Sequence, residues 1–532
     1  MRRLTRGVLA LTLLCACSLL DEGPPSFDEQ LSCDIPRALL VRQWRGYVPE
    51  HSGEVLLIER LPHQFGTRHS TPHPYTQNVP LVLYGPGFIK QGVVAARPVT
   101  LADLAPTFAE LLHFDGFPKR SGRVLHESLL PPARRNGIPR LLVTVVWDGV
   151  GDNVLEYWPQ AWPNLRRLTR EGSSYESAIV GSSPSITPAV HATIGTGAFP
   201  AIHGVPDILM RLEGEIKDSW ARTSPRNLEV TTLADEWDLA QGNDAKVAVM
   251  ARDGWQVGMM GHGAYLKGGD HDIAVLDDLK GVGFRTSGSF YSLPRFLQNE
   301  RGLARAIKRV DRADGQLDAE WHGNEVLDFM PEVRSTSAWP IYQTKRIIGL
   351  LTKEGFGRDD VADLFYTNYK STDLAGHAWN MIQPQVRDNL REQDRQLSLL
   401  RSALDRLVGR KAYVLALTAD HGMTPSSSVS GGWSIDPTEI TRDIDRAFEV
   451  EPDAGSLVQK NRGYQIFLDK ELMEEKGVDA ASVAGYLAEY EVQDNALPGE
   501  TRSSFRGDKD ERLFLSALTP EGVRASLECS RP

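Results

Sequence analysis

Cysteine is scarce in this sequence: there are four in 532 residues. Two of them, Cys15 and Cys17, fall in the first stretch of the chain, so only Cys33 and Cys529 are left for the body. That excludes a disulfide-dense scaffold and any site built on zinc-finger spacing. Long apolar runs are also missing. The only membrane-grade segment is Gly7 to Leu20, preceded by Met1, Arg2, Arg3 and Arg6, and it falls short of the roughly 20 residues a spanning helix needs. Runs of one charge are absent too. The 59 Lys and Arg against 70 Asp and Glu give a net charge of −11, with no basic stripe to act as a nucleic-acid footprint. The remaining composition, 41% hydrophobic and 24% charged, is that of an ordinary globular chain long enough for a large core.

The charged-then-apolar order at the start is that of an export signal. Within it, Leu14-Cys15-Ala16-Cys17 resembles a bacterial lipobox. Cys17 would then carry the lipid and become the mature N-terminus, residues 1–17 being the signal and 18–35 a tether; a plain cleaved signal is the alternative. An exported chain with one even pair of cysteines, one near each end, is expected to join Cys33 to Cys529.

Short, almost continuously apolar runs recur at Glu54 to Glu59, Val79 to Tyr84, Leu141 to Trp147, Asp363 to Tyr369 and Tyr413 to Thr418. Helical stretches such as Ala161 to Gly172 and Asn389 to Val408 separate them. Strands that lack polar alternation belong to mainly parallel sheets buried on both faces, so the expected fold is an α/β, three-layer α/β/α sandwich. Three of these strands run into acidic and histidine residues: Asp148, the Ser371 to His377 run with Asp373 and His377, and Asp420-His421. Ligands of open α/β sheets collect at the carboxyl ends of strands, so these groups should converge. Together they form a donor set of hard oxygen and imidazole suited to Zn²⁺ or a similar ion. Any one of them alone would be explained as a buried cap or core histidine.

The segment Ser183 to Gly197 offers a hydroxyl, Thr187, at a helix start, where free N–H groups favour an anionic ester. Thr187 also fits a plain N-cap with Pro188 following. His191, one turn later, reads as packing or support for the site. His262 is expected in a structural role, with pocket lining as the alternative.

The motifs W-D-G-V at 147–150, S-I-T-P-A-V-H-A-T-I-G-T-G at 185–197, A-I-H-G-V at 201–205, S-T-D-L-A-G-H at 371–377 and T-A-D-H-G-M at 418–423 resemble the alkaline phosphatase superfamily, in particular its type I phosphodiesterase/nucleotide pyrophosphatase branch. The resemblance implies two divalent ions, zinc in the relatives. Asp148, Thr187, Asp420 and His421 would surround one, while Asp373, His377 and a further histidine near the family's C-terminus would hold the other. No histidine follows His421 here. Residues 69–107, with His69-Ser70-Thr71-Pro72-His73 and Arg97 to Thr107, instead resemble the family's final third. The resemblance therefore implies a circularly permuted catalytic domain over 36–532, in which 36–135 corresponds to the usual C-terminal part and 139–532 to the rest. His69 would be the missing ligand, with His73 as the fallback. A smaller α+β insertion is expected within 425–515.

The implied activity is hydrolysis of phosphoric esters through a phosphothreonine on Thr187, outside the cytoplasm. The expected partner is a small phosphoester, with membrane contact only through a lipid anchor. Relatives that cleave monoesters carry a Lys-x-Arg clamp; here Val249 to Trp255 has Arg252 but no lysine, which favours diesters or pyrophosphates. A monoesterase or phosphonate hydrolase remains an alternative. So does a weakly active, ligand-binding lipoprotein, because Ile208 stands where relatives place a phosphoryl-binding Asn.

Overall fold

The computed structural model describes residues 25–221, 223–279, 281–298, 302–496, 505 and 507–530. The signal segment, with Cys15 and Cys17, lies outside the described residues. Nine strands form the central sheet: β1 (Leu81–Tyr84), β2 (Val93–Ala95), β3 (Leu141–Trp147), β4 (Ser173–Tyr175), β5 (Val247–Ala251), β6 (Ile273–Asp277), β7 (Phe284–Arg285), β8 (Asp363–Tyr369) and β9 (Tyr413–Thr418). Their spatial order is β7-β6-β5-β8-β3-β9-β1-β4-β2. The run β6-β5-β8-β3-β9 is parallel throughout, whereas β1 enters antiparallel to both β9 and β4.

Every residue of β3, β8 and β9 is buried, which is why their sequences carry no polar alternation. Helices Pro163–Glu171, Ala338–Lys353 and Pro384–Leu404 pack together on one face. Leu104–Leu111, α1 (Thr187–Thr196) and α2 (Leu233–Ala240) cover the other. A further helix, α3 (Ser371–Trp379), begins two residues after β8.

One strand lies elsewhere than the sequence leads one to expect. Val55–Glu59 is not in the central sheet; it pairs antiparallel with Gln465–Leu468 and Phe514–Leu518 in a separate four-stranded sheet that also holds Val458–Asn461. A short apolar run reports burial, not which sheet buries it. The smaller α+β unit is thus built from both ends of the chain, around Val55, Leu57, Trp433, Ile440 and Ile466. The expected tether is also partly docked. Phe27 packs edge-on against Phe448 and Tyr486, with centroids 5.6 and 5.3 Å away, and Glu29 caps Thr519.

Cys33 and Cys529 are joined in a disulfide, with Cα atoms 5.2 Å apart and a sequence separation of 496 residues. Cross-links that close long loops restrict the unfolded chain most, although measured gains settle near 2–4 kcal/mol. Cys33→Ser is therefore expected to lower unfolding free energy by about 2–4 kcal/mol. Denaturant titration with and without reductant checks this: the two midpoints should differ without reductant and converge with it, and equal midpoints without reductant would refute it.

Candidate active site

Register brings the functional side chains to one edge of the sheet. Tyr369 pairs with Trp147 and Thr418 with Val146, so β8, β3 and β9 end level and release Lys370 to Asp373, Asp148 and Asp420-His421 side by side. Gly149 takes φ 72°, a region that favours glycine. A Cβ there would come within 3.2 Å of the Asp373 backbone. Its N–H donates to Asp420 Oδ1 at 3.1 Å, locking the first strand end to the third.

Thr187 is the first residue of α1, and Ile186 is the N-cap. The N-cap alternative therefore fails by one position: Ile186 holds the extended cap conformation, and the Thr187 hydroxyl is left for the site. Thr187 is 2% exposed, and its Oγ1 accepts from Lys370 Nζ at 3.0 Å.

The carboxylates and imidazoles expected to act together are together. His421 Nε2 lies 3.4 Å from Asp148 Oδ1 and 3.5 Å from Asp420 Oδ2. Asp373 Oδ1 lies 3.4 Å from His377 Nε2 and 3.7 Å from His69 Nε2. One ligating atom from each of His69, Asp373 and His377 falls within 4.8 Å of the other two, and the same holds for Asp148, Asp373 and His421. The residues suit metal ions on two counts. The buried atoms His421 Nε2 and Asp420 Oδ2 have no hydrogen-bond partner, and isolated buried polar atoms of this kind are costly. The histidines also present lone pairs inward: His69 donates from Nδ1 to Ser185 O at 3.1 Å and His421 from Nδ1 to Gly422 O at 3.0 Å, which leaves each Nε2 free.

Burial, reinforced by the neighbouring His421, pushes His69 well below the ordinary histidine range, and burial lowers His421 as well. Asp420 goes the other way, raised well above the usual carboxylate range by burial and by Asp148 beside it. Burial would raise Asp373 too, but Lys370 and the three histidines outweigh it and hold that carboxyl well below its ordinary value.

Between the two histidine candidates the geometry separates sharply. The His69 ring stacks on His421 with centroids 3.4 Å apart, whereas His73 turns away and donates from Nε2 to Glu59 O at 2.8 Å. His69→Ala is expected to weaken metal retention by more than the roughly 10–100-fold that loss of a mere supporting hydrogen bond costs, with His73→Ala leaving it unchanged. Elemental analysis after dialysis measures this; loss in the His73 variant alone would reverse the reading.

Lys370 is the residue sequence reasoning missed. Its Nζ donates to Asp148 Oδ1 at 2.7 Å and to Thr187, and lies 2.9 Å from Asp373 Oδ2. Burial opposes its charge, but Asp148, Asp373 and Asp420 prevail and keep it an ammonium. Asn368, the penultimate residue of β8, was also missed: it donates to Asp148 Oδ2 at 2.8 Å and to His191 Nε2 at 2.9 Å. His191 donates from Nδ1 to Thr187 O at 2.7 Å, so both its ring nitrogens are engaged in supporting the site. His262 is likewise held, with Nδ1 2.8 Å from Asp235 Oδ2 and Nε2 2.9 Å from Leu228 O.

A cavity of about 300 Å³ opens over Thr187, lined by Arg68, Ile208, Arg252, Trp255 and Arg462 among others. Arg462 comes from the turn between two strands of the smaller sheet and grips Asp207 with two bonds, 3.0 and 3.1 Å. Arg252 pairs with Asp253 at 2.7 Å. Ile208 packs against the apolar cluster of Ile186, Ala189 and Tyr464.

The sequence profile described as type I phosphodiesterase / nucleotide pyrophosphatase matches residues 142–510. Among curated proteins, the chain is 22% identical over 426 residues to alkaline phosphatase PafA of Elizabethkingia meningoseptica, covering 69% of this chain and 76% of that one. It is 23% identical over 413 residues to alkaline phosphatase PhoV of Synechococcus elongatus, covering 68% and 73%. The crystal structure of wild-type PafA superposes with a TM-score of 0.54 at 20% identity, over 66% of this chain and 76% of that one.

Proposed function

Because the chain belongs to the type I phosphodiesterase/nucleotide pyrophosphatase family, a family of phosphoester hydrolases, we propose that it cleaves phosphoric esters by way of a phosphothreonine on Thr187. The observation that carries this reading is the Thr187 hydroxyl: buried at a helix start, bonded to an ammonium and bordered by carboxylates and imidazoles grouped closely enough to hold a metal ion. Asp148, Asp420 and His421 beside Thr187 would hold one divalent ion and Asp373, His377 and His69 another, zinc suiting both donor sets. The chemistry such ions supply is Lewis-acid polarisation of phosphoryl oxygens and a lowered pKa for a bound hydroxyl.

The chain's own groups do the rest. Thr187 Oγ1 forms a bond to phosphorus as the bond to the departing ester oxygen breaks, and water then cleaves the phosphothreonine and restores the hydroxyl. Lys370 faces Oγ1 and stabilises its alkoxide character. Arg68, Arg252 and Arg462 offer donors to the non-bridging oxygens. Of these, Arg252 and Arg462 are each already balanced by a carboxylate, so the cavity carries little surplus positive charge. A singly charged diester or pyrophosphate linkage fits that balance better than a dianionic monoester. The monoester reading is supported by the extra ammonium of Lys370 at the nucleophile and by the two alkaline phosphatase relatives.

The permutation belongs to the same proposal. It is supported by β1 and β2 joining the central sheet, by His69 standing in the site, and by a profile match that starts only at residue 142. Export, with a lipid on Cys17, is supported by the N-terminal sequence and the disulfide. No described helix is long and apolar enough to cross a membrane. Zinc-loaded protein assayed on bis-p-nitrophenyl phosphate and on p-nitrophenyl phosphate tests the function. A higher kcat/KM on the diester is expected, the reverse order would move the assignment to monoesters, and background rates on both would leave only a binding role.

A further inference from the structure

A second group of acids lies far from the phosphoryl site. Asp238 sits in α2, while Asp270 and Asp272 lie in the segment leading into β6. One carboxylate oxygen from each comes within 4.8 Å of the other two. Asp272 directly precedes β6, and β6 runs parallel to β5 and β8, so this group occupies the opposite edge of the sheet from Asp148, Asp373 and Asp420.

Two of the three acids are buried, Asp272 with nothing that favours its charge and Asp238 with only the backbone N–H of Ala245. Asp272 is 8% exposed and Asp238 4%, and Asp238 Oδ1 has no hydrogen-bond partner. Apart from burial itself, only other carboxylates act on Asp272, namely Asp238, Asp270 and Asp235, and all of them disfavour its charge. Among the described residues no lysine or arginine pairs with any of the three. Buried carboxylates are ordinarily paired, hydrogen-bonded or coordinated to a metal. Asn243 ties the two sides together, its backbone N–H donating to Asp238 O and its Nδ2 to Gly268 O, both at 2.9 Å. Its Oδ1 is another buried oxygen without a partner. The exposed third acid, Asp270, leaves the group open to solvent.

We propose that Asp238, Asp270 and Asp272 form a structural site for a hard divalent cation, Ca²⁺ foremost, that clasps α2 to the 266–272 loop at the edge of the sheet remote from catalysis. An all-oxygen set with no imidazole or thiolate selects Ca²⁺ or Mg²⁺ over zinc. Ca²⁺ takes six to eight oxygens in flexible geometry and completes its shell with carbonyls and water, which suits three acids drawn from two segments better than the strict octahedron of Mg²⁺. Binding to the folded state alone raises stability by mass action.

The test uses the full chain, stripped with chelator and reloaded with zinc, and follows Ca²⁺ by equilibrium dialysis and by thermal unfolding. Wild type should bind one Ca²⁺ beyond its zinc, with Tm rising by on the order of a few degrees at saturating Ca²⁺. Asp270→Ala, at an exposed position that does not threaten folding, should weaken Ca²⁺ binding at least about tenfold. Asp272→Asn should abolish the shift. Both should keep phosphoester hydrolysis and zinc content within about twofold of wild type, since neither touches that edge. Asp373→Asn, which disturbs the phosphoryl site, should retain the Ca²⁺ shift. A wild type without Ca²⁺-dependent binding or stabilisation overturns the proposal, as does a shift that survives in both Asp270→Ala and Asp272→Asn. Because hydrolysis is read separately, failure here leaves the assignment of Thr187 untouched, and the converse holds too.

Discussion

Thr187→Ala should lower kcat by at least about 10³-fold while leaving metal content unchanged. Removing the attacking oxygen removes the covalent route, and what survives is the contribution of binding and charge stabilisation, which in nucleophile-deleted hydrolases leaves a small residue over the uncatalysed reaction. Metal content should hold because His69, Asp148, Asp373, His377, Asp420 and His421 all stay in place. Ala is well tolerated at the first turn of a helix whose N-cap is Ile186, so the fold should survive. The decisive measurements are steady-state kinetics, elemental analysis of the same preparation, and a rapid quench with peptide mapping for phosphothreonine in wild type. Activity within threefold of wild type in the variant would remove Thr187 from the mechanism.

What could be read from the sequence follows from how local each signal is. Asp148, Asp373, Asp420 and His421 each follow closely on a largely apolar, wholly buried run, and His377 lies one turn after Asp373 on the helix that comes next, so a strand end and its donors can be seen in one short stretch. Thr187 is visible because Pro188 marks a helix start. His69 is a weaker case: nothing within residues 60–75 betrays a partner about 300 residues away, and only the resemblance of the front segment to a family's final third pointed to it. Arg462 and Asp207 had no signal at all, since their pairing depends on where a turn of the smaller sheet lands over the central one. Val55–Glu59 was legible as a strand but not as a member of a particular sheet. Lys370 did leave a trace. It directly follows seven buried residues of β8 and precedes an acid-bearing helix, and a lysine at such a place must be either solvated or paired.

Lys370 is therefore expected to give the largest stability effect in the molecule, and one that depends on metal. Its ammonium is buried against Asp148 and Asp373, at 2.7 and 2.9 Å, with Asp420 close enough to act on it. Lys370→Met keeps the length of the side chain but removes the charge, and so leaves several buried acids facing one another. Breaking a buried ion pair by deleting one partner costs on the order of 3–5 kcal/mol, because the remaining charge is uncompensated. The metal-free variant should lose about that much unfolding free energy. Divalent cations bound to the same carboxylates would restore part of it, so the gap between variant and wild type should narrow in zinc and widen in chelator. Activity of the zinc-loaded variant should fall about 10²–10³-fold, the usual effect of removing one preorganised donor from a site where charge develops, and Lys370→Arg should recover stability more than turnover, since a planar guanidinium cannot place a point charge at Oγ1. Chemical denaturation of both proteins in chelator and in zinc separates these effects. If Lys370→Met matches wild type in chelator, the lysine is not the counter-ion of this cluster; if the gap is the same with and without zinc, the carboxylates it contacts are not the ones that bind metal.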